Sequence, residues 1–83
     1  MYKVEFSQTA EKQLYKLERK IQERVISVLE RIRIRPFHFV KRKQETPYFI
    51  LRVGDYRVIL DIRKDKNTIF VVELGHRKKI YEE

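Results

Sequence analysis

Tyr48-Phe49-Ile50-Leu51-Arg52-Val53-Gly54-Asp55-Tyr56-Arg57-Val58-Ile59-Leu60-Asp61-Ile62-Arg63 is the stretch that decides the fold. It reads as strands over 48–53 and 56–63 meeting at Gly54-Asp55, a pair suited to a two-residue hairpin turn. Such a loop sets Val53 against Tyr56, Arg52 against Arg57, Leu51 against Val58 and Phe49 against Leu60. One face then carries Phe49, Leu51, Val53, Tyr56, Val58, Leu60 and Ile62, all apolar or aromatic, and a slip by one residue would scatter them. The other face sets Arg52 opposite Arg57, and like charges facing each other across a strand pair repel. Two readings fit. Either an anion sits between them, since guanidinium groups bind phosphate oxygens through paired hydrogen bonds, or Arg57 pairs with Asp61 or Glu73 and seals the sheet.

Working outward, a third strand is expected over 68–74 after a turn at 64–67, where Asn67 can adopt positive φ. Towards the start of the chain, Tyr2, Val4 and Phe6 alternate with Lys3 and Glu5, as in a strand with one buried face. Ser7 can cap a helix whose stripe is Ala10, Leu14 and Leu17, running to about residue 18. A second stripe follows at Ile21, Val25, Leu29 and Ile32, widened by Ile26 and Val28. Pro36 disfavours helix at Arg35, so this helix should end near there. Residues 37–47 show no period and read as a basic loop or irregular edge. The expected architecture is α+β, in the order β-α-α-β-β-β: a helix hairpin over 7–34 against one face of a four-stranded, mainly antiparallel sheet. The first strand joins a three-stranded meander in that sheet.

At 83 residues the chain is expected to be a single domain, 1–83. It has no cysteine, which excludes disulfides, thiol nucleophiles and thiolate metal sites. Met1 runs straight into the strand-like residues 2–6 with no apolar leader. No apolar run approaches the ~20 residues that span a bilayer. The expectation is a soluble, cytoplasmic protein with no membrane association. Its 20 Lys and Arg against 12 Asp and Glu give a net charge of +8, which favours polyanionic partners. The excess is uneven: Arg31, Arg33, Arg35, Lys41, Arg42 and Lys43 lie in one run without an acid. A heavily charged, solvated surface accounts for such a composition equally well. His38 and His76 lack metal-ligand spacing, there is no acidic cluster, and Gly54 and Gly75 form no phosphate-binding loop. No metal, cofactor or small-molecule cofactor is expected.

Arg52-Val53-Gly54-Asp55-Tyr56-Arg57-Val58-Ile59 closely resembles the signature hairpin of the RelE/ParE toxin superfamily. Gly75-His76-Arg77-Lys78-Lys79-Ile80-Tyr81 resembles the ending of its RelE branch. The first strand, the Ala10, Lys12, Leu14, Lys16, Leu17 pattern and Pro36 also match, so the resemblance covers nearly the whole chain in order. It implies a RelE-like fold and the toxin of a type II toxin–antitoxin system, an endoribonuclease that cuts mRNA on the ribosome without a metal. The partners it implies are a cognate antitoxin, mRNA and the ribosome.

In such a site the RNA 2′-hydroxyl attacks the adjacent phosphate, which calls for a base, for cations around the phosphorane and for an acid at the leaving oxygen. The resemblance assigns Arg57 to phosphate stabilisation, Arg77 to phosphate contact and leaving-group protonation, and Tyr81 to the base. Free tyrosine ionises near ~10, so that role needs the cationic setting that Arg77, Lys78 and Lys79 offer. Stacking on a base, or packing, is the other reading of Tyr81. His76 stands inside the matched ending and is an alternative acid or base, or a packed strand-end residue. Arg52, Lys41, Arg42, Lys43, Lys78 and Lys79 are the candidate RNA-binding cations. The chain departs from the best-known members at Tyr48, Phe49 and Ile50, where those carry lysines; Lys41, Arg42 and Lys43 are the nearest replacements. A ParE-like inhibitor of DNA gyrase and a non-catalytic RNA- or partner-binding module are the competing readings.

Overall fold

A computed structural model of the chain describes residues 1–78. Along it run β1 (Lys3–Phe6), α1 (Gln8–Tyr15), α2 (Arg19–Arg31), a single 3-10 turn (Pro36–His38), β2 (Lys41–Arg42), β3 (Phe49–Val53), β4 (Tyr56–Arg63) and β5 (Thr68–His76). The strands among the described residues form one sheet in the order β1-β5-β4-β3-β2. Neighbours are antiparallel except β1, which runs parallel to β5.

The hairpin register is the one its apolar face demands: Phe49 faces Leu60, Leu51 faces Val58, Arg52 faces Arg57 and Val53 faces Tyr56. Gly54 opens the turn at φ 60°, the left-handed geometry that a two-residue loop with glycine first requires. Asn67 has φ 50° in the following turn. Leu51, Val53, Val58, Leu60 and Ile62 pack with Ile69, Val71 and Leu74 of β5 against Ala10 and Leu14 of α1 and Val25 and Leu29 of α2. Both helices therefore lie on one face, and each buried Leu or Ile contributes roughly 1.5–3 kcal/mol. The opposite face holds a smaller apolar cluster, Ile50 and Ile59 with Tyr48 and Val72 against them.

The structure corrects four expectations. The sheet has a fifth strand, because Lys41 and Arg42 pair with Ile50 and Phe49 inside the stretch expected to be loop. The first helix stops at Tyr15 rather than near residue 18. Leu17 still packs on the core from the turn that follows, so the apolar stripe outlasts the helix. The second helix stops at Arg31 rather than near Arg35. Arg33 turns the chain towards β1, its carbonyl accepting from the Tyr2 N–H at 2.9 Å and its Nε donating to the Tyr2 carbonyl at 2.7 Å. The last strand continues two residues past Leu74, through Gly75 to His76. No helix among the described residues is long and apolar enough to cross a membrane.

Candidate nucleic-acid interface

Strand pairing builds the candidate site row by row on the face away from the helices. Cα partners share a face, so Arg52 of β3, Arg57 of β4 and Gly75 of β5 form one row across three strands. The next row is Lys41, Ile50, Ile59 and Glu73 across β2 to β5. Arg77 follows β5 and its N–H donates to the Asp55 carbonyl at 2.9 Å, tying the end of β5 to the hairpin turn. Arg52, Arg57 and Arg77 therefore meet at the hairpin end of the sheet, from positions up to 25 residues apart in sequence.

Their exposures differ. Arg52, Arg77 and Lys78 are exposed, whereas Arg57 is only 4% exposed. β4 lies between β3 and β5, so Arg57 has a strand on either side. Arg57 is thus a recessed cation with open cations around it. His76 packs edge-on against Tyr56 with ring centroids 5.4 Å apart. Its Nδ1 accepts the Lys78 N–H at 3.2 Å, and its pairing with Tyr56 sets it in the helix-side row.

The 41–43 cations divide. Lys41 belongs to the outer row with Ile50. Arg42 turns to the helix side, where its guanidinium stands 5.8 Å over the Phe49 ring, a cation–π contact. The Lys43 N–H donates to the Tyr48 carbonyl at 3.0 Å, which closes the turn between β2 and β3. Lys79 and Tyr81 lie outside the described residues.

At the far end of the same face the charges are mixed: Lys3 pairs with Glu5 at 3.4 Å and Arg63 with Asp61 at 3.0 Å. The hydrogen bond to Asp61, and its charge, raise the Arg63 pKa further above the usual range. Asp61 thus engages Arg63, so only Glu73 remains of the two carboxylates considered for Arg57. No three His, Asp or Glu side chains among the described residues come together as a metal site.

Sequence reasoning missed two arginines of α2. A Cβ placed on Gly54 would lie 3.0 Å from a guanidinium nitrogen of Arg24, so Arg24 closes over the hairpin turn. Arg31 lines the same cleft between α2 and β3. Arg31 reads in the sequence only as the start of a basic run, and the signal that joins it to Arg24 is their placement two helical turns apart, on a helix otherwise read for its apolar stripe.

The sequence family described as the ParE toxin of the type II toxin–antitoxin system parDE matches residues 4–81. No curated protein sequence is significantly similar to the chain. Among solved structures, a chain of the RelBE2 toxin–antitoxin complex from Mycobacterium tuberculosis is 28% identical. It superposes with a TM-score of 0.82, over 92% of this chain and 98% of that one. A chain of the archaeal RelE–RelB complex from Pyrococcus horikoshii is 23% identical, with a TM-score of 0.79 over 95% and 98%. A chain of the Escherichia coli RelBE complex is 23% identical, with a TM-score of 0.78 over 92% and 96%. The last two speak for the fold alone.

Proposed function

The chain belongs to the ParE toxin family of type II toxin–antitoxin systems, and from that premise we propose that it is a metal-independent endoribonuclease that cuts ribosome-bound mRNA. The observation that carries this reading is the gathering of Arg52, Arg57 and Arg77 at the hairpin end of the sheet, fixed by strand pairing and by the Arg77 to Asp55 hydrogen bond.

In the proposed reaction the 2′-oxygen forms a bond to phosphorus as the bond from phosphorus to the 5′-oxygen breaks. The 2′-hydroxyl gives its proton to a base and the leaving 5′-oxygen takes one up, leaving a 2′,3′-cyclic phosphate and a 5′-hydroxyl. The recessed Arg57 suits the phosphorane: a preorganised cation excluded from water is worth more than one in solvent. Arg77 contacts the phosphate and stands by the leaving oxygen. His76 pairs with Tyr56 in the helix-side row, away from Arg57, and is not given that proton. Tyr81 takes the base role on the family resemblance alone. Arg52, Lys41, Arg42, Lys43, Lys78 and Lys79 are proposed to bind the RNA backbone, with Lys41 placed for the outer face and Arg42 for the helix side. The proposed partners are mRNA on the ribosome, from the family resemblance alone, and a cognate antitoxin, as the similar chains in RelB complexes suggest.

Purified protein incubated with translating ribosomes should yield mRNA fragments with 2′,3′-cyclic-phosphate and 5′-hydroxyl ends, the products of attack by the 2′-hydroxyl; fragments with 5′-phosphate ends would overturn the reading. A second reading, inhibition of DNA gyrase, is favoured by the family description and by Tyr48, Phe49 and Ile50 standing where RNA-cutting relatives carry lysines. Loss of supercoiling with mRNA intact would overturn the nuclease reading in its favour. Binding of RNA without either activity would reduce the protein to a binding module.

A further inference from the structure

A second cationic cleft opens beside the hairpin turn, on the helix side, and the reaction above leaves it unused. It encloses about 370 Å³ between α2 and β3. Arg24 and Arg31 form its helical wall, Arg52 and Gly54 its sheet wall, and Phe39 stands at its mouth. Arg24 and Arg31 are two turns apart and project from one face of α2, ~10 Å apart along the axis. No carboxylate lines the cleft. Among the described residues, no ion pair engages Arg24, Arg31 or Arg52.

Three features make this a built site rather than a scatter of surface charge. Arg24 is seated on the turn, because Gly54 has no side chain where its guanidinium approaches. The Phe39 ring is 49% exposed beside it, and the 31–43 stretch that carries the ring contains six cations and no acid. Arg52 belongs to both places: it is the cross-strand partner of Arg57 and it lines the cleft. A strand leaving the outer face past Arg52 enters the cleft directly.

We propose that this cleft is a second RNA-binding site, which takes backbone phosphate on Arg24 and Arg31 and stacks an adjoining base on Phe39. Guanidinium forks for the phosphates together with an exposed aromatic ring for the base are how single strands are held without sequence preference. An acidic peptide would satisfy the arginines but gives no reason for an open ring among cations. The inference rests on the RNA reading of the outer face and extends it into a continuous track around the edge of β3.

The test is binding of a short, fluorescent, 2′-O-methyl single-stranded RNA, which lacks the attacking hydroxyl and stays intact. It is followed by anisotropy over a salt series, with folding of each variant checked by circular dichroism. The Arg24→Gln/Arg31→Gln variant should bind ~10-fold more weakly or worse. Its slope of log affinity against log salt should fall by about 1.4, near 0.7 for each phosphate that the variant no longer neutralises. Phe39→Ala should weaken binding at least ~5-fold with the slope unchanged. Arg24→Lys/Arg31→Lys, which keeps the charge, should keep the slope. Unchanged affinity and slope in the Gln variant would overturn the second site while leaving the outer-face reading intact. Failure of the wild type to bind would overturn both. If the Gln variant keeps its RNA affinity but no longer co-purifies with the product of the adjacent reading frame, the cleft is a protein site and the inference is wrong.

Discussion

Arg57 carries two demands that pull apart. As a recessed cation it is suited to a phosphorane, yet at 4% exposure it is also part of the packing. Arg57→Ala should therefore cost cleavage ~10²–10³-fold and also lower stability by roughly 1–3 kcal/mol, the range for emptying a buried position. Arg57→Leu separates the two, because a buried charge replaced by an apolar side chain of similar volume often leaves stability near neutral. The Leu variant should melt close to the wild type in calorimetry while cutting no better than the Ala variant. Wild-type cleavage by Arg57→Leu would make the residue structural. The position of Arg57 opposite Arg52 was legible in the sequence because strand periodicity fixes which residues face each other. Its burial was not, since the alternating pattern shows which face a side chain takes and not how deeply it is covered there. The splitting of Lys41 from Arg42 was likewise hidden, because a two-residue strand leaves no pattern to read.

At the level of elements, β5 has two successive neighbours on its outer edge. β1 pairs with it only as far as Phe6 and Val71, and there α1 takes over. The Ser7 hydroxyl accepts from the Ala10 N–H at 2.9 Å as the helix cap and donates to the Val72 carbonyl at 2.7 Å. Gln13 Oε1 then accepts the Leu74 N–H at 2.7 Å. These hydrogen bonds sit beside a register shift in which Ile59 faces Glu73 while Leu60 faces Val71, so Val72 is the extra residue of a bulge. Gln13→Leu should cost about 1–3 kcal/mol by leaving a buried amide without its acceptor, read as a lower denaturant midpoint with unchanged slope. No change in midpoint would mean that water replaces the side chain. The Ser7 cap was legible, because serine before an apolar periodic run is a start signal. The role of Gln13 was not, since its partner lies 61 residues away at a bulge the alternating pattern does not announce. The helix ends were misread for a related reason: Leu17 and Ile32 pack on the core from just outside the helices, so hydrophobic period and helical backbone stop at different residues.

For the whole molecule, the net charge of +8 and the exposed apolar side chains should act on different stages of antitoxin binding. Charge steers association and makes its rate fall with salt. Apolar burial sustains the complex once formed, at ~25 cal/mol per Å² before ordering costs. Of the two apolar residues that widen the α2 stripe, Val28 is packed against the core and Ile26 is 39% exposed, so Ile26 is the one available to a partner. The complex with the product of the adjacent reading frame should survive ~1 M salt, where the Debye length is ~3 Å. Complete release under those conditions would mean that the cationic end alone carries it. The pairing of β1 with β5 has a consequence of another kind, in time. Ser7 waits for Val72, 65 residues later in the chain, which at ~5–20 residues per second of protein synthesis is about 3–13 s. A helix forms in ~1 μs or less. For seconds, then, a nascent chain carries a first strand with nowhere to dock. The row that joins Arg52 and Arg57 to Gly75 is closed only when β5 is made, so the cationic end of the sheet takes shape after both helices and the hairpin have been synthesised.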